Sequence, residues 1–325
     1  HTLNNMASKA RKGVIGILRV LWCIGERSPT IFFKLFDCQI QPMLTYGAEV
    51  WGPVADLVPI ERIHLFAIKR FLNTSIRTPN VMAYGETGRY PLSVKVYVTC
   101  VRYWLLILRM PEHRLPVKAY NMLLALHMNN KNTWASAICF LLYRFGFGLV
   151  WENQGVGDIK QFLCTFRETL IACWHEEWRT TLFEKENCAA AQDRYFMYRS
   201  FKSSLEMSSY LVDVKHVGMR NALIRFRLGT SCLLPHRLRF ASTSSETSLF
   251  CPSCGTAEES ELHFMFVCPA YKEIREKYIP VKYYRNLNTH RLFLLLASKN
   301  HNLIINTASY IYEAFEKRKE CFRIV

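Results

Sequence analysis

The sequence predicts a mainly α-helical chain. Apolar residues recur at i, i+3 and i+4 along most of its length, which is the helical period. Proline and glycine are sparse, at 12 and 14 of 325 residues, so few breaks interrupt that pattern. Half of the residues are hydrophobic, ample for a packed core, and strand-like alternation is rare.

Taken in order, Val14, Ile17, Leu18, Leu21 and Trp22 define a helix over 10–23, flanked by Lys9, Arg11, Lys12 and Arg19. Ser28-Pro29 marks a second helix start, because proline suits the first turn. Pro42 is expected to kink or divide that helix, since it lacks an N–H and crowds the preceding turn. A third helix covers 60–72, and Asn80 is read as the cap of a short turn over 81–88. A long apolar helix begins at Pro91 and ends before Pro111, and further helices fit 114–128, 133–145 and 158–187. The glycines of 145–157 read as a linker, and YFMYRSF (195–201) is an ambiguous strand candidate.

The net charge is +16. A surplus of that size points to a polyanionic partner, nucleic acid or an anionic membrane. The basic residues are spread along the chain and form no juxtamembrane cluster, which favours nucleic acid. No run approaches the ~20 apolar residues of a membrane helix, and HTLNNMASKARKG lacks the apolar stretch of a signal peptide. Most of the twelve cysteines sit in apolar helical contexts, as buried thiols of a reducing compartment do. An intracellular location, nucleus and cytoplasm, follows as the expectation. The start at His1 is expected of a segment of a longer reading frame.

Residues 214–245 contain no acidic residue. It carries Lys215, Arg220, Arg225, Arg227, Arg237 and Arg239. On a helix, His216, Arg220 and Arg227 project to one side, and Val217, Ile224 and Leu228 form a separate apolar face. The segment is read either as an ordinary solvated face or as a nucleic-acid contact. The missing counter-charges and the aromatic neighbours Phe226 and Phe240 favour the contact.

Just beyond it, CPSCGTAEESELHFMFVC places Cys251, Cys254, His263 and Cys268 in a C-x2-C-x8-H-x4-C spacing. Thiolates and imidazole are the donors that tetrahedral zinc prefers, and a Cys-x2-Cys turn lets two thiolates converge. Gly255 follows where the backbone turns sharply. Ser260 is a candidate N-cap, and Pro269 ends the helix so that His263 and Cys268 can converge. Phe264, Met265 and Phe266 are expected to form a small core beside the ion. The competing reading is buried thiols beside a chance histidine. Four ligands with no open position imply a structural zinc ion, not a catalytic one.

Here a resemblance enters. LIRFRLGTSCLLPHRLRF, followed by CPSCGTAEESELHFMFVCPAYKEIREKY, resembles the C-terminal end of non-LTR (LINE-type) retrotransposon reverse transcriptase polyproteins. Glu261, His263, Phe264, Phe266, Cys268, Pro269, Tyr271 and Arg275 stand at the places that the pattern requires. HRLRF departs from the GRY usual after the "lp" segment. FDCQIQPMLTYGAEVWG (36–52), IERIHLFAIKRFL and YGETGRYPL (84–92) are similar to the thumb-like helices after the polymerase palm of the same elements. The resemblance covers 10–125 and 215–280. It implies a thumb-like helical bundle over 1–125 and a helical connector over 126–212. Over 213–325 it implies the basic helix, the zinc knuckle and a terminal helical cap. It also implies that Arg11, Lys12, Arg19, Lys69 and Arg70 lie near a duplex backbone, and that an upstream polymerase domain of the same polyprotein is a partner.

Catalysis by this chain alone is not expected. The family's palm uses paired aspartates to hold metal ions, and Asp37, Asp56, Asp158, Asp193 and Asp213 are isolated. A nuclease after the knuckle would need metal-binding carboxylates, and no aspartate follows Cys268. His175-Glu176-Glu177 beside Cys173 lacks the second histidine of HExxH, and Trp174 and Trp178 read as a core stripe. GETGR (85–89) has no Lys-Ser/Thr and follows no strand, which speaks against a phosphate loop. The expectation is therefore a non-catalytic segment that binds RNA, DNA or both through basic helices positioned by zinc. A helical protein-interaction scaffold is the alternative, with a metal-dependent nuclease behind it.

Overall fold

The computed structural model describes residues 2–184, 195–238 and 250–323. These residues are mostly α-helical, and among them there is no β-strand, only the isolated bridges Thr87–Met207 and Phe250–Glu258. No single helix among them is long and apolar enough to cross a membrane. The chain divides into two compact units. The first comprises His1–Arg19, Phe33–Ala67 and Tyr90–Trp178; the second comprises Val20–Phe32, Ile68–Arg89 and Arg179–Val325. Both are assembled from separated segments, which the sequential three-part division does not capture.

Pro42 divides its helix as expected: Pro29–Leu35 passes into a π-helical turn, Phe36–Ile40, before Gln41–Leu44. The wider turn accommodates the proline, which can neither donate to nor pack against the preceding turn of a regular α-helix. The Ala48–Trp51 turn lies close against Leu92–Leu108: a Cβ on Gly52 would come within 2.5 Å of Val96 and 2.8 Å of the Cys100 sulfur. Glu61, on the helix Val58–Phe71, accepts the Leu92 N–H at 2.8 Å. It thus satisfies one of the donors that a helix start leaves open. The 145–157 stretch is no linker. It contains the helix Gly148–Glu152, whose buried Trp151 stacks on Trp104 at 5.6 Å within the same unit. Trp104 Nε1 donates to the Tyr120 hydroxyl at 3.0 Å, so the indole is buried without an orphaned donor.

The helix Ile159–Phe183 buries Trp178 and leaves His175, Glu176 and Glu177 exposed, as an amphipathic stripe requires. In the second unit, Phe196–Phe201 is a helix, which settles the ambiguous strand candidate. Its apolar residues Met197, Tyr198 and Phe201 are three and four apart and buried, the helical period winning over a short aromatic run. Asn80 opens the helix Asn80–Thr87 without capping it, because its side-chain oxygen is taken by Lys69 Nζ at 2.8 Å. The second glycine of GETGR is a helix terminator: Gly88, at φ 64°, closes that helix by donating to Tyr84 O at 2.8 Å. A Cβ there would meet Met207 N at 2.4 Å, so glycine is needed for space as well as for its left-handed φ. The helix Val217–Arg227 packs against the long C-terminal helix His301–Arg323, and so does Lys272–Tyr278. This packing surrounds the knuckle segment.

Candidate metal centre

Cys251 and Cys254 lie on a tight turn. Gly255, at φ 65°, donates to Cys251 O at 2.7 Å, and Cys251 N donates to Ala257 O at 2.8 Å. These bonds fold the knuckle back on itself and aim both sulfurs to one side. The partner segment begins at Ser260, whose hydroxyl accepts the His263 N–H at 3.0 Å, as an N-cap does. The helix then widens: His263–Val267 is π-helical, and Cys268 N donates to His263 O, five residues back, at 2.8 Å. A five-residue spacing would place the two side chains well apart around a regular α-helix, which turns 3.6 residues per turn. The π turn and the extended backbone of Cys268, φ −51° and ψ 121°, bring them together.

The ligand atoms of Cys251, Cys254, His263 and Cys268 all lie within 4.8 Å of one another. The Cys251 and Cys268 sulfurs are 3.9 Å apart, and Cys254 Sγ is 3.4 Å from His263 Nε2. A zinc tetrahedron with Zn–S of ~2.3 Å and Zn–N of ~2.0–2.1 Å has S–S edges of about 3.8 Å and S–N edges of about 3.6 Å. The Cys251–Cys268 and Cys254–His263 separations lie close to those edges. Cys251, His263 and Cys268 are buried and Cys254 is partly exposed. These four residues can hold one metal ion, as their spacing predicts.

The electrostatics suit a cation. Burial pushes the Cys268 thiol up to about 12 and raises Cys251 as well. Burial also pushes Cys254 up, but hydrogen bonds outweigh it and bring the thiol down to about 6; the largest come from the Thr256 hydroxyl, at 3.2 Å, and the Thr256 amide. A divalent ion held by these residues would favour the thiolate form of all three cysteines.

Residues beyond the four ligands fix this geometry. The buried Arg275 donates to Met265 O at 3.1 Å, to Phe266 O at 2.8 Å and to Cys268 O. It satisfies the carbonyls that the end of the π turn leaves open. The Tyr271 hydroxyl meets Ser253 Oγ at 2.6 Å, joining the two halves of the knuckle. Phe264, Met265 and Phe266 are buried, as expected beside the ion. Phe264 sits among Phe226, Tyr271, Tyr310 and Phe315, with ring centroids 5.1–5.8 Å away. Glu259 is fully buried and pairs with Arg318, one of its bonds being 2.8 Å, while also accepting the Leu234 N–H at 2.7 Å. The His236 ring bridges Ser231 Oγ, at 2.6 Å, and Glu261 Oε1, at 2.9 Å. The helix Leu234–Leu238 is thereby tied to the metal-centre segment at two points. Glu259 and Arg318 carry no motif that could have marked them, whereas Tyr271 and Arg275 stand at pattern positions after Cys268.

The basic residues divide. Lys215 and Arg225 are exposed, as are Arg11, Lys12, Arg19 and Arg70; the Arg11 guanidinium lies over the Phe66 ring at 4.5 Å. Arg220, Arg227 and Lys69, expected at a nucleic-acid contact, are only 5%, 5% and 9% exposed and must be withdrawn from it. Arg227 is held by Glu86, at 3.1 and 3.3 Å, and by Leu296 O, at 2.6 Å. Arg220 donates to Leu211 O at 3.1 Å, and Lys69 donates to Ile76 O and Asn80. In each case an internal acceptor takes the charge that a phosphate would otherwise meet. The side chain of Arg237 and the whole of Arg239 lie outside the described residues. Compared with protein-family models, curated proteins and solved structures, the chain finds no match in any of the three.

Proposed function

We propose that this chain binds nucleic acid without catalysing a reaction itself, and that a structural zinc ion holds its basic segment in place. The observation that carries this reading is the closed Cys251–Cys254–His263–Cys268 cluster next to a basic segment, in a chain of net charge +16. Three thiolates and an imidazole select zinc by softness and geometry, and four protein ligands leave no position for substrate. The ion closes the knuckle. Glu259 and Glu261, between the ligands in sequence, then hold the helix Leu234–Leu238. The exposed Lys215 and Arg225, together with Arg70, Arg11, Lys12 and Arg19, neutralise backbone phosphates and release counterions. The similarity to LINE-type proteins extends the proposal to a polymerase domain as neighbour and to a nuclear and cytoplasmic location.

Filter-binding titrations with single-stranded RNA and duplex DNA at several salt concentrations test it. Affinity is expected to fall steeply and linearly in log–log form as salt rises. Reversing Lys215 and Arg225 to glutamate reduces the slope by ~1.4 on single-stranded RNA and ~1.8 on duplex DNA, at ~0.7–0.9 per phosphate contact, and weakens binding to both probes. Absent or salt-independent binding supports the protein-interaction scaffold instead. Divalent-metal-dependent cleavage of either probe would support the nuclease.

A further inference from the structure

The second unit contains a cavity of about 330 Å³ that neither the metal centre nor the exposed basic residues use. Its wall combines Lys202, Ser208 and Arg227 with the apolar Leu223, Leu296 and Ile304. Lys202 and Arg227 are buried cations, and the fully buried Glu86 is the carboxylate that answers them from within the fold. Glu206 and Lys299, 4.0 Å apart and well exposed, stand at the mouth. The interior therefore keeps one positive charge more than it neutralises. A buried charge without its counterpart is costly, and the cavity is where a counterpart fits.

The hydrogen-bonding inventory agrees. Lys202 Nζ donates to Glu206 O at 2.6 Å and to Ser208 Oγ at 3.1 Å, and an ammonium group has a third hydrogen to give. Ser208 accepts from Lys202, so its own hydroxyl hydrogen is free to point outward. Ser209 and Ser298 add further hydroxyls to the lining. Burial brings Lys202 down to about 8, with the Glu86 charge opposing the shift, so at neutral pH it is still mostly charged. Several convergent donors with a surplus cation suit an anion that has three acceptor oxygens, and the apolar wall suits an organic body attached to it.

We propose that this cavity binds a small phosphate monoester, with the phosphate on Lys202 and Ser208 and the organic body along Leu223 and Ile304. The proposal is independent of the zinc and of polynucleotide binding. Calorimetric titration of the full chain with adenosine 5′-monophosphate, inorganic phosphate and adenosine tests it. The expected result is saturable one-to-one binding of the monophosphate, at least tenfold weaker binding of inorganic phosphate, and none of adenosine. Lys202→Met is expected to weaken the monophosphate at least tenfold. Ala297→Trp, placed at an exposed lining position, is expected to block binding while leaving melting and RNA binding unchanged. Three results would each overturn the proposal: no saturable binding of either phosphate probe, adenosine binding as well as its monophosphate, or unchanged affinity in Ala297→Trp.

Discussion

Replacing Cys268 with serine is expected to destabilise the second unit by at least about 5 kcal/mol and to lower its melting transition by roughly 10–20 °C. Structural zinc ions supply ~10–16 kcal/mol of apparent folding energy in small finger peptides. Here Phe264 and its aromatic neighbours keep part of the local core, so the loss is smaller than a full peptide's worth. Cys268 is buried, and its carbonyl is one of the three that Arg275 ties down. Loss of the ion therefore frees the π turn, the knuckle and, through Glu259 and Glu261, the helix Leu234–Leu238. Adding a strong chelator to the wild type should reproduce the shift, and adding it to Cys268→Ser should change little further. Cys173→Ser, at an exposed thiol, serves as the control and should melt with the wild type. Differential scanning calorimetry with and without chelator checks all four outcomes.

Glu86→Gln should cost about 3–5 kcal/mol, the usual penalty when one partner of a buried ion pair is removed and the other charge remains. Arg227 would keep its stacking over Phe201, at 4.4 Å, and over Tyr210, at 5.0 Å, but would lose the buried carboxylate that pairs with it. Replacing both members together, Glu86→Leu with Arg227→Met, should recover part of the loss, since an apolar pair pays no desolvation penalty. The pH dependence has a definite sign. Burial pushes the Glu86 carboxyl up, yet the Arg227 and Lys202 charges outweigh it and hold it below its ordinary 4.5. A carboxyl depressed in the folded state contributes its full stability above the unfolded value and loses it as pH falls through the folded one. Acid denaturation followed by circular dichroism should therefore show a component below about pH 4.5 in the wild type that is missing from Glu86→Gln.

The convergence of Cys251, Cys254, His263 and Cys268 was legible because four donors within eighteen residues are a local signal. Cys251 to Cys268 needs no tertiary information beyond a turn at Gly255 and a helix stop at Pro269, and both stand in the sequence. The helical class was legible for the same reason, as periodicity acts over one or two turns. Whether a cation faces water was not legible. A helical wheel puts Arg220 and Arg227 on one cationic side, but it cannot show that Glu86, 141 residues earlier, lies inside the fold to receive Arg227. Lys69 misled in the same way, its acceptors being the Ile76 carbonyl and the Asn80 side chain of the following turn. The glycines of 145–157 read as a linker because glycine marks breaks in any helical pattern; only the stacking of Trp151 on Trp104 shows that they carry the chain around a corner within one unit. The π turn at His263–Val267 was not legible, since the sequence specifies the five-residue spacing and a stop at Pro269 but not how the backbone spans it.

The most direct test of the central claim is the metal content and thiol reactivity of the full chain, purified without chelators or affinity metals. The account predicts one equivalent of zinc by elemental mass spectrometry. It also predicts that Cys251, Cys254 and Cys268 resist alkylation until a chelator removes the ion, whereupon all three react. Folded protein that carries no divalent metal, with those three thiols labelled as readily before chelation as after it, would contradict it.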